Sequence, residues 1–285
     1  MTLSTIAVHL DHTERCEQRT VLATRLAKAH GSHLCAIVPT GVGHGAALVD
    51  MGSSVGSIAA ADRLIAAASL HLRRRAETVA HVFRCRIKEL GCPSFDVCLV
   101  DGEPLDALLG HGRACDLLIV GQVDAAATVV GKARHMHEEA MLHSGRPVLI
   151  VPRTGDFACV GQRVLVAWDG SREAAMAVRG ALPLLRRAAQ VTLVSMPPDD
   201  DQDTVGRWCI PQTTHWLMRH GIDARTLCDR ADGRIADGLV ARARSLQADP
   251  VVMGGYGHSR ARERTLGGVT REMLAQAGVP VLMAH

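Results

Sequence analysis

The chain carries an internal repeat, which constrains its fold more than any other feature of the sequence. Three short motifs recur, two of them at a separation of 133 residues and one at 158 residues. The pairs are Asp116–Gly121 with Asp249–Gly254, Ser144–Leu149 with Ala277–Leu282, and Val8–Asp11 with Val166–Asp169. Motifs that recur at constant separation are typical of two copies of one domain. The separation is 158 residues near the start of each copy and 133 residues later in it, so the middle of the second copy is shorter.

Each copy alternates short apolar, β-branched runs with longer segments of helical spacing. The predicted strands are Thr5–Leu10, His33–Val38, Phe95–Val100, Leu117–Val120 and Pro147–Val151, then Arg163–Ala167, Val191–Ser195, Ala224–Leu227, Pro250–Met253 and Pro280–Met283. This alternation predicts an α/β fold: two tandem copies of an open, five-stranded parallel sheet with helices on both faces, Rossmann-like in type. Because the segment 153–162 has little periodicity, we expect domains at residues 1–153 and 160–285.

Segments of helical spacing lie between the strands. The predicted helices are Thr13–His30, Ala59–Leu90, Leu105–Arg113, His135–His143, Glu173–Ala188, Trp208–His220, Ile235–Leu246 and Val269–Ala277. Two prolines complicate this prediction: Pro183 lies inside one helix, and Pro211 is expected to break another. The glycine-rich segment Thr40–Gly56 is predicted to be a long loop.

Composition and charge exclude several classes of protein. A net charge of +3 on 285 residues argues against binding to nucleic acid or to an anionic membrane surface. The nine cysteines contain no C-x-x-C pair, which fits a reduced protein better than a disulfide framework. The N-terminus lacks a signal-peptide pattern, and no uncharged apolar run reaches the length of a membrane span. We therefore expect a soluble cytoplasmic protein.

A glycine-rich segment, Val251–Thr270, follows the fourth strand of the second copy and runs into a helix. Glycines at such a place let the backbone N–H groups and the positive end of the helix dipole approach an anion, most often phosphate. Asp169 lies at the end of the first strand of the same copy. In open α/β sheets, ligands bind at the carboxyl ends of the strands where the strand order reverses. These features together suit a nucleotide, while a plain tight turn remains the alternative for the glycines.

These residues resemble the universal stress proteins over nearly the whole chain, as a tandem pair. Members of that family have a five-stranded parallel α/β domain and a nucleotide-binding signature, G-x2-G-x9-G-[S/T], after the fourth strand. Gly254, Gly257 and Gly267 match the signature, whereas Gly268 stands at its Ser/Thr position and offers only a backbone N–H. The resemblance implies that the second copy binds ATP, or a related adenine nucleotide with Mg²⁺, as a switch.

The same resemblance implies roles for further residues and for the edges of the sheets. Asp169 would meet the adenine edge, Met196 and Met253 would line the base and ribose, and Val269 would offer another backbone N–H. The fifth strands of the two copies would pair with each other, and an outward face could still form a homodimer.

The first copy departs from the signature. At a separation of 133 residues, Gly257 corresponds to Asp124, Gly267 to Arg134 and Gly268 to His135. A carboxylate repels phosphate, and side chains prevent a close backbone approach. We therefore expect that the first copy does not bind ATP in this way.

Two other functions remain open. The chain could be an interaction or dimerisation module of the same fold that binds no nucleotide, since Gly268 and the first copy both depart from the signature. It could also be a slow hydrolase or nucleotidyl transferase. Because the sequence shows no P-loop and no general base beside the glycine loop, we expect at most slow hydrolysis.

Several residues could suggest a metal or a second anion site, but a structural role is favoured for each. His135, His137 and His143 with Glu138 and Glu139 lack the spacing of a zinc helix. Cys98 and Cys228, in corresponding third strands, are interpreted as small apolar residues. We expect no metal site. The arginines of the glycine loop could reach phosphate, although a solvated loop face is favoured: Arg260, Arg262 and Arg264.

Overall fold

The computed structural model describes residues 2–41, 58–122, 136–157, 159–197, 209–230, 233–256 and 268–285. Its strands are β1 (Thr5–His9), β2 (His33–Pro39), β3 (Phe95–Val100), β4 (Leu117–Gly121), β5 (Val148–Val151), β6 (Arg163–Ala167), β7 (Gln190–Ser195), β8 (Ala224–Cys228), β9 (Val251–Gly254) and β10 (Val281–Ala284). The helices of these ranges are α1 (Cys16–His30), α2 (Ile58–Glu89), α3 (Pro104–Gly112), α4 (Met136–His143), α5 (Arg172–Leu185), α6 (Ile210–Arg219), α7 (Ile235–Ser245) and α8 (Val269–Gln276). The predicted alternation of strand and helix is confirmed.

The ten strands form one sheet in the order β3-β2-β1-β4-β5-β10-β9-β6-β7-β8. Within each half the strands are parallel, as predicted. The halves meet where β5 and β10 run antiparallel, with Leu149 opposite Leu282. Each half thus contributes five parallel strands, as predicted, and the pairing of β5 with β10 joins the two halves into one ten-stranded sheet. Backbone pairing between the two inner strands removes the edge that each half would otherwise expose.

Helices cover both faces of this sheet. The helices α1, α2, α5 and α6 pack on one face, and α3, α4, α7 and α8 pack on the other. Each face has one continuous apolar cluster that runs through both halves, and both clusters consist mainly of aliphatic side chains. Few aromatic residues are available, so Val, Leu, Ile and Ala fill the interior.

The repeat is also visible in specific hydrogen bonds. Asp116 Oδ2 accepts from the N–H groups of Ser4 and Thr5, at 2.7 and 2.9 Å. Asp249, its counterpart, accepts from the N–H groups of Gln162 and Arg163 at the same two distances. Each carboxylate therefore ties the start of the first strand of its half to the start of the fourth.

Local sequence explains where the helices begin. Ser171 is the N-cap of α5, and its Oγ accepts from the N–H of Ala174 at 3.1 Å. Pro183 lies inside α5, as the sequence predicted. Pro211 lies in the first turn of α6 rather than breaking the helix, because the first turn does not need the N–H that proline lacks. Most of the predicted loop Thr40–Gly56 lies outside the described residues. None of the helices among the described residues is long and apolar enough to cross a membrane.

Candidate functional site

The carboxyl ends of β6 and β9 form the part of the second half where strand order reverses. The two strands are neighbours, with Leu165 opposite Val251 and Val166 opposite Val252. Strand β7 lies beyond β6, and β10 lies beyond β9. Asp169 follows β6 by two residues, and Gly254 is the last residue of β9. The predicted nucleotide-binding edge therefore lies at a topological switch point.

Asp169 forms a tight turn that leaves part of its carboxylate available. Its Oδ1 accepts from the N–H of Ser171 at 3.0 Å and from the Ser171 hydroxyl at 2.6 Å. Within the described ranges, Oδ2 accepts no hydrogen bond. The Asp169 side chain is thus held in one orientation and offers a further acceptor.

Gly254 is required by packing. A Cβ at this position would lie 2.6 Å from the backbone nitrogen of Ala174 and 2.8 Å from the carbonyl carbon of Glu173. The end of β9 therefore lies directly against the first turn of α5, which only glycine permits. This contact explains the glycine without a ligand, and a phosphate-binding role for Gly254 stays a prediction.

The start of α8 lies at the same edge of the sheet, against the chain that follows β9. Gly268 is the N-cap, and its carbonyl accepts from the N–H groups of Arg271 and Glu272 at 2.9 and 3.1 Å. The Tyr256 N–H donates to Thr270 Oγ1 at 3.1 Å, so the chain just after β9 contacts the first turn of α8. Val269 is the first residue of α8. The segment between, which includes Gly257, Gly267 and the three loop arginines, lies outside the described residues.

The two methionines of the predicted site belong to the hydrophobic interior. Met196 and Met253 are both buried and pack in the apolar cluster beneath α7 and α8. The structure thus brings Asp169, Gly254, Gly268 and Val269 to one edge, with both methionines below it. A role for Met196 and Met253 in lining a base and ribose stays a prediction.

The equivalent edge of the first half has a different construction. Asp11 repeats the turn of Asp169, since its Oδ1 accepts from the N–H and hydroxyl of Thr13 at 3.0 and 2.5 Å. However, Asp11 Oδ2 lies 2.6 Å from Nη2 of the buried Arg19. A Cβ at Gly121 would lie 3.0 Å from Arg19 Cζ and closer still to Nη1. The arginine therefore occupies space that the glycine leaves open, and it neutralises the carboxylate.

Burial and neighbouring charges shift the pKa values of His9 and Asp11. Burial disfavours the charged imidazole of His9 and lowers its pKa to about 4, although Asp11 opposes the shift. Burial by itself would raise the pKa of Asp11, but the charges of Arg19 and His9 and the hydrogen bonds from Thr13 and Arg19 together outweigh burial and hold that pKa at about 2. At pH 7, His9 is thus neutral and Asp11 is anionic beside the guanidinium of Arg19.

A cavity of about 480 Å³ opens beside these groups at the carboxyl ends of β1, β2 and β4. His9, Asp11, Arg19, Val38 and Gly121 are among the residues that line it. The sequence analysis did not identify this cavity. A signal was present, because Arg19 interrupts the apolar face of α1 formed by Leu22, Ala23 and Leu26. A cation on a buried helix face indicates an internal anionic partner.

The residues considered for metal binding are arranged differently from the sequence pattern. His137 is buried, whereas His143 Nε2 lies at the surface 3.1 Å from Glu139 Oε2, and His135 is outside the described residues. Cys98 and Cys228 lie in corresponding strands but not at equivalent positions. Cys228 pairs with Ser195, and the equivalent pair in the first half is Val38 with Leu99. Instead, Cys98 lies beside Cys35.

Comparisons with known proteins agree with this fold. The model of the Universal stress protein family matches residues 220–285. A universal stress protein from Archaeoglobus fulgidus DSM 4304 superposes with a TM-score of 0.70 at 15% identity, covering 99% of this chain and 96% of that one. A putative universal stress protein from Pseudomonas aeruginosa UCBPP-PA14 has a TM-score of 0.57 at 14% identity, covering 98% and 92%. No curated protein sequence matches the chain.

The chain therefore has the universal stress protein fold along its length, and its C-terminal segment carries the sequence pattern of that family. The resemblance drawn from the sequence is confirmed. At such low identity the superpositions speak to the fold alone.

Proposed function

We propose that residues 160–285 form a domain that binds ATP or a related adenine nucleotide, with Mg²⁺, at the edge between β6 and β9. Residues 1–153 form a second domain that does not bind ATP in this way. Nucleotide binding acts as a switch in a stress response, with at most slow hydrolysis. The observation that carries this proposal is the orientation of Asp169 at the switch point, with Oδ2 available at the edge of the sheet where β9 ends at Gly254.

Hydrogen bonding explains why Asp169 suits adenine. The exocyclic amine of adenine is a donor, and a carboxylate held by Ser171 is an oriented acceptor for it. The backbone N–H groups at the start of α8 lie at the same edge, where the helix dipole favours a phosphate. The edge thus offers a carboxylate acceptor for the adenine and backbone N–H donors for the phosphate of one nucleotide.

The first half supports the proposal by contrast. Its Asp11 has the same turn, but Arg19 already occupies Oδ2 at 2.6 Å. The residue that corresponds to Arg19 at the separation of 158 is Ala177, which carries no charge. The acceptor is therefore neutralised in one half and available in the other.

Titration calorimetry with ATP and Mg²⁺ tests this function, using the full chain and an Asp169→Asn variant. Asparagine can keep the turn through its carbonyl oxygen but presents a donor to the adenine amine. We expect ATP affinity to fall about tenfold or more, because an unsatisfied buried hydrogen-bonding group costs about 1–3 kcal/mol. Affinity for GTP should fall less, since the guanine carbonyl at the same position is an acceptor.

The matched control is Asp223→Asn, which removes the same charge at an exposed position of the second half. Equal losses in both variants would mean that Asp169 acts only through net charge. Binding of ATP that is unchanged in Asp169→Asn would place the nucleotide elsewhere.

A second candidate function is a protein interaction module of the same fold that binds no nucleotide. It is favoured by the packing of Gly254 against α5, which explains that glycine without a ligand. In this case ATP would produce no heat in the calorimeter and no change in melting temperature of the wild-type chain.

A further inference from the structure

A cluster of potential metal ligands lies on one face of the sheet in the first half, away from the candidate nucleotide edge. Cys35 of β2 and Cys98 of β3 place their Sγ atoms 3.9 Å apart. The ligand atoms of Cys35, Asp96 and Cys98 all lie within 4.8 Å of one another. His33 adjoins them, with its Nε2 atom 3.4 Å from Asp96 Oδ2. Cys35 and Cys98 are about sixty positions apart in the sequence, as are His33 and Asp96. The parallel pairing of β2 with β3 brings the members of each pair together.

We propose that this cluster binds a zinc-class divalent cation through Cys35, Cys98 and Asp96, with His33 as the fourth ligand. Two sulfurs, one imidazole nitrogen and one carboxylate oxygen form a donor set that zinc accepts in proteins. The proposal goes beyond nucleotide binding and does not depend on it.

Two of the observed distances match those of tetrahedral coordination. With Zn–S bonds of about 2.3 Å, two thiolates at a tetrahedral ion are about 3.8 Å apart, close to the 3.9 Å between Cys35 and Cys98. With bonds of about 2.0–2.1 Å to nitrogen and oxygen, those two atoms are about 3.3 Å apart, close to the 3.4 Å between His33 and Asp96. A disulfide would require a sulfur–sulfur distance of about 2.05 Å.

A neighbouring residue also orients the imidazole. His33 Nδ1 lies 2.7 Å from Ser94 Oγ. When Nδ1–H donates to this hydroxyl, the lone pair of Nε2 faces Asp96 and remains available to a cation. Ligating histidines in proteins commonly have such a hydrogen bond on the nitrogen that does not bind metal.

Charge favours the same occupant. A divalent cation is the partner that makes close thiolates and a carboxylate compatible. The side chains of His33 and Asp96 are 38% and 55% exposed, so an ion has access from solvent.

The second half serves as an internal comparison. Where the first half pairs Cys35 with Asp96, the second pairs Thr192 with Arg225. Where the first half pairs Ile37 with Cys98, the second pairs Val194 with Leu227. Gln190 occupies the position of His33. Gln190 pairs with Arg163 at the start of β6, just as His33 pairs with Thr5 at the start of β1. The donor set is therefore a property of one half and does not follow from the fold.

Cobalt titration of the reduced, chelator-treated full chain tests the site. We expect one equivalent of Co²⁺ to produce thiolate-to-cobalt charge-transfer absorption together with the visible bands of tetrahedral cobalt, and Zn²⁺ to abolish both. Cys35→Ser and Cys98→Ser should each lose the charge-transfer band or weaken binding at least a hundredfold. Asp96→Asn and His33→Ala should each weaken binding at least tenfold, because losing a ligand costs no less than losing a group that hydrogen-bonds to a ligand.

The matched controls are Cys228→Ser and Cys85→Ser, which remove exposed thiols outside the cluster. Both should bind cobalt like the wild-type chain. Zinc should raise the melting temperature of the wild-type chain and of both controls but not of Cys35→Ser, and circular dichroism reports whether each variant is folded. The exposed Asp96→Asn change keeps the test valid if a cysteine variant does not fold.

Several outcomes would overturn the proposal. These are the absence of thiolate-to-cobalt absorption in the reduced wild-type chain, or its loss in Cys228→Ser or Cys85→Ser. A Cys35–Cys98 disulfide found by mass spectrometry, together with no zinc binding after reduction, would assign the two thiols to redox chemistry instead.

Discussion

The buried group of His9, Asp11 and Arg19 shows how single residues distinguish two similar halves. In the second half, the residues at the positions of His9 and Arg19 are Ala167 and Ala177. The ion pair at 2.6 Å satisfies Asp11 and leaves Arg19 buried without loss of its charge. Ion pairs of this kind are costly to break because the remaining charge is left uncompensated. In the first half, the carboxylate oxygen that is available at Asp169 in the second half is therefore part of an internal ion pair.

Acid should destabilise the protein through His9. Its pKa is about 4 in the folded protein and about 6.5 when unfolded, so between these values the unfolded chain binds a proton that the folded protein does not. The contribution of neutral His9 to the free energy of unfolding is therefore present above pH 6.5. It is lost as the pH falls towards 4, which lowers the free energy of unfolding by about 3 kcal/mol. Urea unfolding at pH 7 and pH 4 should show this loss in the wild-type chain and a smaller loss in His9→Ala.

The control for this experiment is His111→Ala, which removes an exposed histidine of the same half. It should keep the acid sensitivity of the wild-type chain. An equal loss in the wild-type chain and in His9→Ala would contradict the assignment. Asp11, with a folded pKa of about 2, should add a further loss below pH 3.8 in all of these proteins.

At the scale of elements, α1, α6 and α7 end by a shared device. After α1 and α6, Gly31 and Gly221 adopt positive φ, and the next N–H bonds back to the carbonyl of Ala27 or Leu217. After α7 the same position is Gln247, with φ of 52°, and the Ala248 N–H bonds to the Ala243 carbonyl at 2.8 Å. A side chain at this position strains the backbone, which glycine avoids.

Replacing Gln247 by glycine should therefore stabilise the protein by about 1 kcal/mol, the order of the cost of the left-handed conformation. The hydrogen bond from Arg163 to the exposed Gln247 side chain is lost, but exposed polar contacts contribute little. The midpoint of urea denaturation measures the change. The reverse substitution, Gly221→Gln, should lower stability by a similar amount, and a gain in both variants would contradict this account.

Over the whole molecule, the two halves are joined by more than the pairing of β5 with β10. Helix α5 of the second half packs on Pro147, which precedes β5 of the first half. A Cβ at Gly180 would lie 3.0 Å from Pro147 Cβ and closer still to Cγ. Likewise, Gln122 of the first half donates to the Leu274 carbonyl of the second. Side-chain packing and a hydrogen bond therefore join the two halves in addition to the strand pairing.

The Gly180→Ala variant should destabilise the protein by about 1–3 kcal/mol, because a rigid proline ring cannot move away from the added methyl group. Equilibrium urea unfolding measures the loss. The control is Gly110→Ala in α3, where a Cβ meets nothing within 4 Å, and alanine should be neutral or favourable in that helix. A gain in stability in both variants would show that α5 can shift away from Pro147.

The sequence alone determined the repeat, the order of strands and helices, and the placement of Asp169 and Gly254 at one sheet edge. These follow from local periodicity, and the carboxyl ends of parallel strands share an edge. What the sequence analysis missed depends on contacts between distant segments, as in the cavity beside His9, Asp11 and Arg19.

Only the tertiary structure decided which charged and metal-binding side chains meet. The contact between Asp11 and Arg19 depends on how α1 packs over the end of β1, and the contact between Cys35 and Cys98 depends on the register of β2 with β3. A shift of one residue in that register would send every side chain to the opposite face of the sheet. Such registers are fixed by packing of the whole interior, which no local pattern in the sequence records.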